Sequence, residues 1–129
     1  MTIIRLKAKR KVSFQSNPYE MYDWMMKAKE YCLSHFSSTD FQICLANFSL
    51  PGGYVANALN QKWKLPYVIL SHGHDIPWFS PKQMFFWHLL YFPIKTSDAC
   101  CKNCCINQSI KTGSIKIIGS QHENKIEVI

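Results

Sequence analysis

The strongest hydrophobic pattern of the chain lies in residues 17 to 36, NPYEMYDWMMKAKEYCLSHF. Its apolar positions recur at steps of three and four residues, with charged residues on the other side. The first residues of the segment are typical of a helix N-terminus. Asn17 can cap the helix, Pro18 fits the first helical position, and Glu20 completes a capping box with Asn17. The pattern predicts an amphipathic helix with one buried face.

Two short apolar runs flank a second helical pattern. The runs are residues 40 to 48, DFQICLANF, and residues 65 to 70, LPYVIL; the segment between them starts with Pro-Gly-Gly and has a helical stripe at Val55, Ala58, Leu59 and Trp63. This spacing predicts a βαβ unit in a parallel sheet covered on both faces. Because a right-handed crossover brings the carboxyl ends of both strands to one edge, we expect Asn47 and His72 to lie close together.

Two further segments carry weaker patterns. Residues 2 to 6 and 12 to 14 are candidates for extended structure, interrupted by a basic cluster. Residues 83 to 95, QMFFWHLLYFPIK, fit either a helix whose aromatic side chains fill the core or a helix that sits in a membrane interface. We favour the core interpretation for this segment.

Composition and charge restrict the class of protein. A length of 129 residues with 47% hydrophobic residues indicates one compact globular domain. The formal net charge of +7 favours an anionic partner, although we interpret the basic cluster at residues 5 to 11 first as a solvated arm or edge strand. No secretory signal opens the chain, and its longest apolar run is far short of the roughly 20 residues that span a bilayer. These features predict a soluble or peripheral protein of the cytoplasm.

The six cysteines leave two interpretations open. Without an export signal they point to a reducing compartment, where thiols stay free or bind metal. Cys101 and Cys104 are separated by two residues, as in a zinc knuckle. The chain has no second pair of cysteines with this spacing away from the cluster. The run from Ala99 to Cys105 also fits a core strand of small side chains, which we favour.

The sequence SHGHD follows the second predicted strand and places His72, Gly73, His74 and Asp75 where it ends. In open α/β sheets, ligands bind beyond the carboxyl ends of the strands, and a glycine there lets the backbone approach a ligand closely. A polar rim over a ligand cleft, a simple turn and a metal site all fit the segment. Zinc is the weakest of the three, because no spacing identifies further ligands.

Residues 40 to 78, DFQICLANFSLPGGYVANALNQKWKLPYVILSHGHDIPW, resemble the middle of the N-terminal domain of glycosyltransferase family 4 enzymes. The shared order is a strand with a polar end, a Pro-Gly turn, a helix, a Pro-led strand and His-Gly-x-Asp. Residues 96 to 111 resemble the next strand and helix start, with Cys100, Cys101 and Cys104 in strand positions. Residues 124 to 129, NKIEVI, resemble the strand that leads into the second domain. The resemblance implies an α/β fold with a Rossmann-like parallel sheet flanked by helices, part of a GT-B enzyme.

The resemblance also implies an activity, the transfer of a sugar from a nucleotide sugar to an acceptor with retention of configuration. His72 matches the family histidine over the donor sugar, and Asp75 would orient an acceptor hydroxyl or fix the loop. Substrate binding would further involve the group Asn47, Gly52, Gly53, Gly73 and His74. The family's chemistry requires no metal, and the nucleotide sugar is a co-substrate, so we expect no cofactor.

Residues 1 to 129 would then form a single partial acceptor-side domain, because the family's first Gly-Gly loop and its donor-binding domain have no counterpart here. We expect the isolated chain to be inactive and prone to self-association. The implied partners are a nucleotide sugar, a glycan or lipid-linked acceptor and a peripheral membrane surface. The alternative is a small basic module that binds zinc or nucleic acid through the cysteine cluster at residues 100 to 105. The lack of aromatic residues interleaved with Lys and Arg argues against nucleic acid.

Overall fold

The computed structural model describes residues 3–9, 11, 16–72, 100–105, 111–112, 115 and 120–128. The described helices and strands are α1 (Pro18–His35), β1 (Cys44–Asn47), an irregular helical turn (Phe48–Gly53), α2 (Tyr54–Trp63), β2 (Tyr67–Ser71), β3 (Cys100–Cys105), a 3-10 helix (Ser120–Lys125) and β4 (Ile126–Val128). The chain is therefore an α/β protein. The predicted aromatic helix at residues 83 to 95 and the extended candidate at residues 12 to 14 lie outside the described residues.

Helix α1 begins with the capping box that the sequence predicts. The Asn17 side chain accepts a hydrogen bond from the Glu20 amide at 2.9 Å, and the Glu20 carboxylate accepts one from the Asn17 amide at 3.0 Å. Pro18 occupies the first turn, where its missing N–H costs nothing. Met25 and Ala28 are buried on the predicted apolar face. The prediction of this helix is confirmed in its bounds and in its start.

The strands form one parallel sheet in the order β1-β2-β3-β4. In the β1–β2 register Cys44 pairs with Tyr67 and Asn47 with Leu70. Strand β1 is shorter than the predicted run because its pairing starts where β2 starts, after Pro66, a residue without an N–H for the ladder. Strands β3 and β4 confirm the strand predictions for the cysteine run and for the end of the chain.

The core lies on one face of this sheet. Its buried members come from both helices, the helical turn and three strands: Met25, Ala46, Leu50, Ala56, Tyr67, Ile69 and Ile126. The other face of the sheet is exposed at β1, where the Leu45 side chain is 69% exposed. The described residues thus show a core on one face of the sheet, and cover on the other face stays a prediction.

Helix α2 buries a broader stripe than the sequence predicts. Val55 and Leu59 are buried as expected, whereas Ala58 and Trp63 are half-buried. Buried polar side chains complete the inner face: Asn57 and Asn60. The Asn57 side-chain oxygen accepts a hydrogen bond from the Tyr67 hydroxyl at 3.4 Å, and the Asn60 side chain donates to the Leu65 carbonyl at 2.9 Å. Tertiary partners supplied by β2 and the turn before it therefore fix the orientation of α2.

Residues 3 to 9 have neither helix nor strand structure, so the described part of the extended candidate at residues 2 to 6 is not paired into the sheet. Burial nevertheless alternates along the segment, because Leu6 and Ala8 are half-buried and their neighbours are exposed. No helix in the described part of the chain is both long and apolar enough to cross a membrane.

Candidate functional site

The carboxyl ends of β1 and β2 bring together two of the predicted site residues. Asn47 is the last residue of β1 and His72 follows the last residue of β2. The His72 imidazole Nε2 lies 3.0 Å from the Asn47 side-chain oxygen, within hydrogen-bond distance. The expected proximity of these residues is confirmed, and it follows from the parallel pairing of the strands that carry them.

The Phe48 ring lies against the same imidazole. Its centroid is 4.5 Å from that of His72, and the two rings are tilted by 45°. Phe48 has a φ of 68°, in the left-handed region that residues other than glycine seldom adopt. This backbone conformation occurs where the chain leaves β1 for the helical turn, and the imidazole is contacted by both Asn47 and Phe48.

A buried hydroxyl pair joins the two residues next to this contact in the chain. The Ser49 and Ser71 hydroxyls are 2.8 Å apart, and both residues are fully buried. Ser49 belongs to the turn after β1 and Ser71 ends β2, so the bond joins the two chain segments that carry Phe48 and His72. A buried, satisfied hydroxyl pair of this kind restricts the relative position of the two segments.

Gly52 and Gly53 have different environments. A Cβ at Gly52 would lie 2.3 Å from the Asn47 carbonyl oxygen, closer than two such atoms can approach. Gly52 therefore allows the helical turn to pack directly against the end of β1. Gly53 is buried and directly precedes α2. The close backbone approach at Gly52 is thus made within the protein, and ligand binding by either glycine stays a prediction.

The site offers hydrogen-bonding groups of both kinds. With the Asn47 oxygen as acceptor, His72 Nε2 carries the proton, and in the neutral ring Nδ1 is the acceptor nitrogen. Asn47 is exposed and His72 half-exposed, so a ligand at this edge of the sheet can contact both side chains. An imidazole, an amide and an aromatic ring are suited to polyhydroxylated ligands, which present both hydroxyl groups and apolar C–H faces.

A neighbouring depression of about 260 Å³ extends from this site towards α1. Phe48 and Pro51 line it from the turn, and Met21 and Trp24 line it from the helix. The helical pattern of residues 17 to 36 places Trp24 on the apolar face of α1, and no pattern in the sequence singles out Phe48. The approach of these two residues depends on the packing of α1 against the turn, for which the local sequence carries no signal.

Three of the predicted site residues, Gly73, His74 and Asp75, lie outside the described residues. Burial raises the pKa of the Cys32 and Cys44 thiols and so favours their protonated form. For Cys44 the nearby Cys32 adds to this effect. Within the described side chains no group of three or more His, Cys, Asp or Glu residues could hold a metal ion.

Comparison with known proteins does not assign the chain to a family. No protein-family model and no curated protein matches it. Any functional conclusion therefore rests on the residues and the geometry of the Asn47–His72 site.

Proposed function

We propose that this chain forms the acceptor-side part of a retaining glycosyltransferase, with a Rossmann-like sheet of the GT-B type. The hydrogen bond between Asn47 and His72 is the observation that carries the proposal. It lies at the carboxyl edge of a parallel sheet, where α/β proteins bind their ligands. The sequence resemblance supports the same site, because His72 is the residue that matches the family histidine.

The proposed reaction moves a sugar from a nucleoside diphosphate to an acceptor hydroxyl. The bond between the anomeric carbon and the diphosphate oxygen breaks, and a bond to the acceptor oxygen forms on the same face of the ring. The acceptor proton passes to the departing diphosphate. Positive charge develops on the sugar and negative charge on the diphosphate, so fixed polar groups near both centres accelerate the step.

In this proposal His72 donates or accepts a hydrogen bond at a sugar hydroxyl, and Asn47 keeps the imidazole in one orientation. Asp75 orients the acceptor hydroxyl or fixes the loop, with Gly73 and His74 beside it. In the same proposal, residues 1 to 129 alone do not transfer sugar. Cytoplasmic location, membrane contact and self-association belong to the same proposal.

The zinc-binding module remains the alternative hypothesis. The strand assignment of Cys100–Cys105, between β2 and β4, supports the interpretation of this run as part of the sheet. A zinc assay on the purified chain separates the two functions. Stoichiometric zinc that is lost in the double variant Cys101→Ser and Cys104→Ser would replace the transferase proposal with the alternative.

Histidine NMR tests the proposed site directly. The chain is labelled at its histidine rings and titrated with a panel of mono- and disaccharides, glycolipid headgroups and nucleotide sugars. We expect at least one sugar ligand to shift the ring signals of His72. His35, on the last turn of α1, is the internal control and should not move.

The variant Asn47→Ala completes this test. Asn47→Ala removes the bond that orients the imidazole and should weaken the sugar-induced shift, whereas Gln42→Ala, at an exposed position before β1, should leave it unchanged. The proposal is abandoned if no sugar perturbs His72, or if His35 responds equally. Transfer or donor hydrolysis by the isolated chain, measured with labelled nucleotide sugars, would contradict its expected inactivity.

A further inference from the structure

Four lysines line one open groove between the N-terminal segment and α1. Lys7, Lys9 and Lys11 come from the segment and Lys27 from the helix, around a depression of about 780 Å³. Glu20 also lines it, so four ammonium groups against one carboxylate leave a net charge of +3 on these residues. We call this depression the lysine groove.

Packing places the N-terminal segment along the helix. Leu6 lies with Tyr31 in one depression on α1, and Ala8 lies with Trp24 in another, nearer the start of the helix. The segment therefore runs antiparallel to α1. Leu6 and Ala8 are half-buried, whereas Lys7, Lys9 and Lys11 are exposed and line the groove beside Lys27 of α1. The charges of the groove are thus carried by a docked segment.

The carboxylate of Glu20, the acidic residue of the groove, is hydrogen-bonded to two backbone amides. One Glu20 carboxylate oxygen accepts a hydrogen bond from the Lys11 amide at 3.1 Å, and the other accepts one from the Asn17 amide. Lys27 forms an ion pair with Asp23, which is not among the lining residues. Glu20 therefore serves to hold the segment and the helix start, and the lysines dominate the field in the groove.

We propose that the lysine groove binds a phosphate-bearing anion. Lysine ammonium groups bind phosphate as point charges, and several of them around one depression concentrate anions there. The described lining contains no aromatic ring on which a base could stack, so the groove fits a phosphate group better than a single-stranded nucleic acid. The same chemistry is presented by a soluble diphosphate and by an anionic lipid headgroup. This inference does not depend on sugar transfer at the Asn47–His72 site.

Two binding experiments on the full chain distinguish a soluble diphosphate from an anionic lipid headgroup as the source of the phosphate. Isothermal titration with inorganic pyrophosphate at low salt measures the soluble anion, and co-sedimentation with phosphatidylglycerol vesicles measures the headgroup, with phosphatidylcholine vesicles as the neutral reference. We expect binding in at least one of the two anionic arms and a marked weakening between 50 and 200 mM salt, because exposed charges are screened. Pyrophosphate binding identifies a soluble ligand, and binding to anionic vesicles alone identifies a lipid headgroup.

A charge-matched pair of variants locates the site. Lys7→Gln with Lys9→Gln removes two groove lysines and should weaken binding about tenfold, the combined effect of two exposed ionic contacts. The control, Lys29→Gln with Lys62→Gln, removes the same charge outside the groove lining and should change binding by no more than about twofold. Lys11→Gln tests the groove from its other end, and circular dichroism checks that every variant is folded. The proposal is overturned if neither anion binds at low salt, or if the control pair weakens binding as much as the groove pair.

Discussion

At Gly52 the helical turn after β1 packs directly against Asn47, a residue of the candidate site. A Cβ at this position would meet the Asn47 carbonyl oxygen at 2.3 Å and its carbonyl carbon at 3.2 Å. Both are backbone atoms, so no side chain can rotate away. We expect Gly52→Ala to lower the free energy of unfolding by about 1 to 3 kcal/mol, because the turn must move off β1.

Urea unfolding measures this loss, and the His72 ring signals report whether Asn47 has moved. The matched control is Gln61→Ala, an exposed position on α2, where the change should stay within about 0.5 kcal/mol. An unchanged unfolding free energy together with unchanged His72 signals in Gly52→Ala would show that the close contact does not exist.

Single residues also show which parts of the site the sequence could predict. The meeting of Asn47 and His72 was predictable, because it needs only two adjacent parallel strands that end together. The Ser49–Ser71 bond and the Phe48–His72 contact were not, since both depend on the conformation of the turn after β1, which the strand pattern does not determine. Polar burial of this kind depends on the partner that packing supplies.

At the scale of elements, α1 and α2 differ in how locally they are specified. The start of α1 was predicted in full because the two halves of its capping box are three residues apart. Helix α2 lacks a side-chain cap at its start and buries Asn57 and Asn60 against residues beyond its own end. Its existence could be predicted from its apolar stripe, but its exact buried face could not.

At the end of α2, a change from lysine to glycine should raise the free energy of unfolding at one position and lower it at another. Lys64 ends the helix with a φ of 59° and a ψ of 23°, the left-handed conformation that glycine adopts without strain. Lys64→Gly should raise the free energy of unfolding by up to about 1 kcal/mol. Lys62→Gly, within the last turn, should lower it by about 0.5 to 1 kcal/mol through the poor helix propensity of glycine.

Chemical denaturation of the two variants and the parent chain checks this pair. Both variants lose one lysine from the same exposed stretch, so electrostatic effects are closely matched. A fall in stability in both variants would mean that Lys64 is not in the left-handed conformation.

At the scale of the whole molecule, one core connects the helices to the strands that carry the site. Met25 is fully buried in the cluster with Ala46, Tyr67 and Ile69, which come from β1 and β2. Strand β1 ends at Asn47, and His72 directly follows the end of β2. The position of α1 on the sheet and the integrity of the site should therefore be lost together when the chain unfolds.

Met25→Ala tests this connection. It removes a large side chain from the core and should lower the free energy of unfolding by about 2 to 5 kcal/mol, whereas Met26→Ala, at a half-buried position, should cost less. Far-ultraviolet circular dichroism follows the helices, and the His72 ring signals follow the site. Because a small domain unfolds cooperatively, the two probes should give one transition in the parent chain and one earlier transition in Met25→Ala. If the His72 signals change well before the helices melt, the site is held by the turn after β1 alone and the shared core does not stabilise it.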